Sequence, residues 1–409
     1  YYYDNNNLIV ASELKAILAS GIDPIVDKQG FSEYVELQYC LSNRTMFKGI
    51  NRLMPGHYLE YDYDLKKLKC VKYWDIPEGS DLDYNEDHSL EELSFLLHDS
   101  VHFQLRSDVP LGFHLSGGLD SSAICSIASK IQQVPIKTFT GGFNTDGYSE
   151  LEYAKFMAND LGAENLTILP TSDNLKDTFQ DIIYMLDEPA AGAAIFPQYF
   201  LSKLISDNSV KVALGGQGGD EIFCGYVRYL VMIMENCIKE EINGYSGNSL
   251  TSGLTLNEIL PNFNLLKGYE PLIKRFFSNG FLDESSSRYY HMMKRTNGLE
   301  NILSPDFYKK DNSVKSAFIQ EFESINSNNI IDRMTIFDMK NHLQSLLHLE
   351  DRASMAWSIE SRVPFLDHRI VEKVMTIPAE KRFPNGNNKY LFKKLSNNLL
   401  PKKIHDRKD

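Results

Sequence analysis

Cysteine is scarce: five residues in 409, at positions 40, 70, 125, 224 and 237, with no two at CxxC spacing. No disulfide framework follows, and a reducing cytoplasm is the expected compartment. Basic charge is outweighed, with 42 Lys and Arg against 55 Asp and Glu and a formal net charge of -13. That balance argues against a dedicated nucleic-acid surface. No apolar run is long enough to span a membrane, and no basic stretch with a signal-peptide core opens the chain. An initiator Met is also missing, since the chain begins YYYDNNNLIVASEL. The expectation is a fragment or processed form of a longer protein. Hydrophobic residues at 43% and charged residues at 24% are soluble globular values, and the length suits two or three domains.

Chemistry first gathers at HLSGGLDSSAICSIAS, residues 114–129. PLGFHL before it suits a short buried strand. Ala123, Ile124, Ile127 and Ala128 then recur at helical spacing. Gly117 and Gly118 permit a tight turn and close approach by a ligand. Ser121 and Ser122 bring hydroxyls to a helix start whose N–H groups point outward. Such a turn favours an anion, above all phosphate. Asp120 beside a phosphate calls for a bridging cation, and magnesium is the natural one. The lysine of the GxxxxGK(S/T) phosphate loop does not follow Gly118, so a kinase or GTPase site is a poor match. An ordinary glycine-rich strand–helix turn is the bland alternative.

Residues 1–75 read as mostly β, with a hairpin in YYYDNNNLIVAS, a short helix in FSEYVELQYCL and a Pro-Gly turn in RLMPGHYL. They are too few to close an independent sheet and look like the tail of a domain begun elsewhere. Residues 76–88 are polar and turn-rich, a linker pattern. A helix is expected from Ser89 to Arg106, with Leu90, Leu93, Leu97, Val101 and Leu105 on its apolar face. Strands in IKTFTGGF, ENLTILP and VKVALGG then alternate with helical patterns such as ELEYAKFMANDLG. The alternation predicts an α/β fold with a mainly parallel sheet, its sites beyond the carboxyl ends of the strands. Residues 238–330 read as irregular helical additions whose aromatics serve packing, and the chain from Ile331 as mainly helical.

ALGGQGGDEIFCGY, residues 213–226, repeats the logic of the first loop. If the two loops are adjacent, Asp120 and Asp220 can hold magnesium on a polyphosphate. Glu221 also has the plain role of an acidic side chain at a helix start. Together SGGLDSS, GGQGGDEIFCGY, LEDRASMAWSIESRVPFLDHRIVEKV and NGNNKYLFKK strongly resemble the synthetase domain of glutamine-hydrolysing asparagine synthases. SGGLDS resembles the loop of N-type ATP pyrophosphatases. ASELKAIL and RLMPGHYL in residues 1–75 resemble the close of the family's N-terminal-nucleophile glutaminase domain, which leaves residues 89–409 as the synthetase domain.

The resemblance implies ATP and Mg2+ as cofactors, a small carboxylate substrate, and ammonia derived from glutamine. It also implies an acyl-adenylate, with AMP and pyrophosphate released, and a homodimer is a further expectation. Ser116, Gly117, Gly118, Asp120 and Ser121 would surround the pyrophosphate end of ATP. His114, Gly215 and Gly216 would meet the adenosine, largely through backbone. Asp120 and Asp220 would hold magnesium, and Lys389 would act near the α-phosphate. Without the resemblance, Lys389 reads as helix surface. Glu360, Arg362 and Asp367 read either as a helix-end charge network or as the substrate side of the cleft, and Asp351 and Arg352 share that ambiguity.

Two departures bear on function. The family's glutaminase uses an N-terminal cysteine, and none of the five cysteines is placed for that role. This chain is therefore expected to take free ammonia, with glutamine used by the full-length parent. Gln217 stands where asparagine-forming members carry glutamate, and its amide cannot accept a proton as a carboxylate does. Aspartate is the expected acceptor. The alternatives are amidation or cyclisation of a sugar, peptide or β-lactam precursor, and a non-enzymatic nucleotide-binding scaffold.

Overall fold

The computed structural model describes residues 1–4, 7–79, 83–142, 150–189, 192–243, 251, 254–296, 298, 301–304 and 313–407. Its N-terminal part holds two small antiparallel sheets. Tyr2–Tyr3 (β1) pairs with Leu8–Ile9 (β2), and His57–Asp62 (β3) pairs with Lys67–Lys72 (β4). The first is the hairpin expected in YYYDNNNLIVAS; its Asn5 and Asn6 lie outside the described residues. Leu14–Ala19 (α1) and Lys28–Leu37 (α2) lie between the sheets. Asp27 caps α2 by accepting from the Gly30 N–H at 2.8 Å.

Glu86–Gln104 (α3) begins three residues before the expected Ser89 and ends two before Arg106. Asn85 sets the start, its side chain accepting from the His88 N–H at 3.0 Å. Glu86–His88, the end of the polar run before the apolar face, therefore form the first turn of the helix. Leu93, Leu97 and Val101 are buried, with Leu90 and Leu105 packed at the margin.

The α/β core runs Leu111–His114 (β5), Leu119–Gln132 (α4), Lys137–Gly141 (β6), Leu151–Asp160 (α5) and Glu164–Ile168 (β7). Ser172–Leu186 (α6), Ile195–Asp207 (α7), Val212–Leu214 (β8), Gly219–Ile222 (α8) and Val227–Asn243 (α9) follow. Glu360–Arg362 (β9) adds a strand to a stretch expected to be mainly helical, because Val212–Leu214 pairs with it residue by residue. The sheet order is β7-β6-β5-β8-β9, and every pair is parallel. The chain lays β6 and β7 to one side of β5, then returns to place β8 on the other. The strand order thus reverses between β5 and β8, and the loops leaving their carboxyl ends diverge around a crevice.

Residues 238–330 supply the expected helical additions, including Glu270–Phe277 and Ser285–Met293. Their aromatics do pack: Phe276, Tyr289, Tyr290, Phe318 and Phe322 are buried. A buried ionic knot fastens them. Asp338 accepts from Arg228 Nη2 and Tyr229 Oη at 2.6 Å each and from Tyr289 Oη at 2.8 Å. A buried carboxylate needs such partners to offset its lost hydration. All five cysteines are free. Among the described residues no helix is long and apolar enough to cross a membrane.

Leu97→Ala should cost about 2–5 kcal/mol, since it opens a cavity on the buried face of α3. Urea unfolding followed by far-UV circular dichroism would show it as a lowered midpoint with an unchanged slope.

Candidate active site

The loop after β5 is shaped by its own hydroxyls. The Ser116 N–H donates to Ser121 Oγ at 3.2 Å, the two hydroxyls lie 3.0 Å apart, and the Gly118 N–H donates to Ser116 Oγ at 3.1 Å. Gly117 has φ +78, and a Cβ there would sit 2.5 Å from the Ala154 nitrogen. Only glycine fits that left-handed position against α5. Gly118 begins α4 with no side-chain cap, so the helix start turns N–H groups toward the loop.

The loop after β8 closes on the first through glycine. A Cβ on Gly216 would lie 2.8 Å from the Ser121 nitrogen, and one on Gly219 would lie 2.7 Å from the Asp120 carboxyl carbon. Contact at that range brings Asp120 and Asp220 together. Lys389 completes the junction, its Nζ 2.7 Å from Asp120 Oδ2 and 2.8 Å from Asp220 Oδ1. Lys389 has φ +53 and stands just before the helix Tyr390–Ser396, not on its surface. Burial by itself lowers the pKa of its ammonium, and the two carboxylates override that, so the net shift is upward. Asn388 secures the turn by donating to the Gly225 carbonyl at 2.7 Å.

Two cavities flank this junction, and Asp220 lines both. The first, about 330 Å³, runs from Ser116, Asp120 and Ser121 past His114 and Gly215 to a wall of Phe139, Pro197 and Leu201. Gln217 and Glu350 also line it. The second, about 540 Å³, holds Lys389, Tyr226, Asn388, Asn262 and Arg407. His114 Nε2, Gln198 Oε1 and Glu350 Oε2, all in the wall of the first cavity, are buried polar atoms without a hydrogen-bond partner. Such atoms are costly in a finished protein and suit a cavity completed by a polar ligand. Among the described residues no group of three or more His, Cys, Asp or Glu could hold a metal by itself. Two carboxylates at a phosphate loop fit instead a hard cation that brings phosphate oxygens and water with it.

The family model for asparagine synthase matches residues 92–408, and that for a glutamine amidotransferase domain matches residues 1–74. The chain belongs to the asparagine synthase family. It is 30% identical over 408 residues to asparagine synthetase (glutamine-hydrolyzing) 1 of Bacillus subtilis (strain 168), covering 99% of this chain and 62% of that protein. Asparagine synthetase (glutamine-hydrolyzing) 3 of the same organism is 28% identical over all of this chain and 62% of its own length. A protein named amidase chyE from Penicillium rubens is 25% identical over 92% of this chain and 59% of its own. The chain thus spans about three fifths of the length of these relatives.

Not every residue singled out in this asparagine synthase-family chain reaches the crevice. Arg362 donates through Nη1 to the carbonyls of Gln104 at 2.5 Å and Arg106 at 2.8 Å, and through Nε to Glu360 at 2.7 Å. Its own carbonyl accepts from the Gly215 N–H at 2.9 Å and so holds the second loop. Asp367 caps the helix His368–Thr376 and is bound twice by the Arg369 side chain. Neither cavity includes Glu360, Arg362 or Asp367. Arg352 turns to the N-terminal part, donating to the Ser12 carbonyl at 2.6 Å and pairing with Glu13 at 3.0 Å. Glu350, one residue before Asp351, is the side chain of LEDRASM that faces the first cavity, with Ser354 a helical turn later. That i, i+4 pair was the available signal, and so was Gln198 with Ser202 on α7.

Glu221 lies under the loop, 1% exposed, and accepts from the Tyr226 hydroxyl. Burial first, and then the Asp220 charge, pushes its carboxyl up to about 7. An acid whose pKa is higher folded than unfolded binds more protons when folded between those values. Stability should therefore fall as pH rises from about 4.5 to about 7. Glu221→Gln should flatten that part of the profile, read as urea midpoints across the range. An undiminished slope in the variant would assign it to another group.

Proposed function

We propose that this chain joins ATP to a carboxylate and passes the activated acyl group to ammonia, giving an amide with release of AMP and pyrophosphate. The Asp120–Lys389–Asp220 junction between two glycine loops carries this reading. The N–H groups at the start of α4, with Ser116 and Ser121, are suited to the outer phosphates. Magnesium held by Asp120 and Asp220 would neutralise charge on the polyphosphate. Lys389 would act near the α-phosphate, where a fixed cation favours the charge that develops as the α–β bond breaks. The first cavity is of a size for the nucleoside, and the second leaves room for the acceptor.

Aspartate is the acceptor we favour, by the names of the relatives, and the glutamine amidotransferase match supports glutamine as the ammonia source. Gln217 in the first cavity supports a second reading. Its amide can orient a carboxylate but cannot take the proton that ammonia loses on acylation. Another carboxylate, on a sugar, peptide or β-lactam precursor, then remains an alternative acceptor.

Incubating the intact protein with Mg-ATP, ammonia and a panel of amino acids and carboxylated sugars should give AMP and pyrophosphate only with the true acceptor. Mass spectrometry should show its carboxyl OH replaced by NH2; loss of water without added nitrogen would reveal ring closure. ADP and phosphate as products would overturn the reading. Lys389→Ala should keep the fold and lose about 100-fold or more in turnover.

A further inference from the structure

The turn that carries Asp220 is braced from behind. Asp220 Oδ1 lies over Gly225, where an added Cβ would collide with it, and the Gly225 N–H donates to the Asp220 carbonyl at 2.8 Å. Tyr226 follows, and its hydroxyl returns to Glu221, the residue after Asp220. The ends of the turn are thus joined twice, once by backbone and once by side chain. The Tyr226 ring is itself gripped. The Arg228 guanidinium stands 3.5 Å from its centroid, Tyr229 meets it edge to face at 5.8 Å, and His342 packs at 6.0 Å. Arg228 takes its direction from Asp338, to which it donates at 2.6 Å through Nη2 and at 3.2 Å through Nε. Asp338 opens a π-helical turn, Asp338–His342, between the helices Ile330–Phe337 and Leu343–Met355. Wide turns of this kind gather at functional sites. The first and last residues of this one, Asp338 and His342, reach Arg228 and Tyr226.

We infer that Asp338 is a positioning residue for Asp220: through Arg228 and the Tyr226–Glu221 bond it fixes the direction from which the Asp220 carboxylate meets the cation of the nucleotide. The inference rests on the reading of Asp220 as a magnesium carboxylate. Asp220 needs such support, because α8 is only four residues long and cannot hold its own shape. A buried ion pair is a poor way to add stability, since desolvation offsets much of the attraction and apolar packing of equal volume often does as well. What the pair adds is direction. Hydrogen bonds and a guanidinium over an aromatic face fix angles that apolar contacts leave open. Direction matters for magnesium, which demands near-ideal octahedral geometry, and much less for calcium, whose coordination is flexible.

Tyr226→Phe keeps the ring beside Arg228 and His342 and removes only the hydroxyl that reaches Glu221. Calorimetric titration of the intact protein should show this variant binding Mg-ATP about 10-fold more weakly, the scale of one hydrogen bond. Ca-ATP should stay within about twofold of wild type. Asp338→Asn should give the same pattern, and combining it with Tyr226→Phe should add little, because both act through one chain of contacts. Should Asp338→Asn not fold, Arg228→Lys takes its place, since it keeps a charge beside Asp338 and loses the planar stack on Tyr226. Equal weakening of Mg-ATP and Ca-ATP marks a merely structural role and would overturn the inference. So would wild-type affinity for both, or a double variant whose loss is the product of the two single losses. A wild type that binds ATP equally well with and without magnesium would instead overturn the metal reading, and this inference with it.

Discussion

One ammonium held between two carboxylates governs the crevice. Without Lys389, Asp120 and Asp220 would face each other as like charges across loops pressed together by glycine contacts. Their repulsion would push the two loops apart. With the lysine in place the two carboxylates stay close, 2.7 and 2.8 Å from its Nζ. Under the proposed function, an arriving cation would take the carboxylates and free the ammonium for a phosphate oxygen. Lys389 is fixed by its left-handed backbone and by the Asn388 bond to Gly225. A Cβ on Gly225 would come within 2.5 Å of Lys389 Cε, so the turn after α8 must be glycine for the lysine to reach.

The sheet supplies the remaining constraint. Because β8 returns beside β5, two loops that are almost a hundred positions apart share one crevice. Arg362 on β9 buttresses the second loop through its carbonyl, and its guanidinium fastens to carbonyls at and just past the end of α3. Arg362 thus acts on the site by holding a strand end in place. In this structure Glu360, Arg362 and Asp367 bond to protein partners and line neither cavity.

Much of this was legible because it is local. SGGLD and GGQGGDE each sit between a short apolar run and a helical pattern, and both became strand–turn–helix units. The parallel sheet followed from the alternation. The start of α3 was misplaced because Asn85, Glu86 and Asp87 are polar, and polarity was read as linker when it was a capped first turn. β9 is three residues long and exists only because β8 lies beside it, so no periodicity could announce it. Glu350 was passed over for Asp351 and Arg352 because the phase of that helix is set by its packing. Lys389 could be placed only by resemblance. Its backbone conformation is rare for a non-glycine residue, and its partners lie 269 positions away for Asp120 and on another loop for Asp220.

The central claim is that the Lys389 ammonium leaves the paired aspartates when nucleotide and cation arrive. A crystal structure of the intact protein with magnesium and an ATP analogue uncleavable between the α and β phosphates tests it most directly. The account predicts magnesium on Asp120 and Asp220, outer phosphates on the start of α4, and Lys389 Nζ within hydrogen-bond distance of an α-phosphate oxygen. A fully occupied analogue bound elsewhere, with Lys389 still bridging the two aspartates, would contradict it.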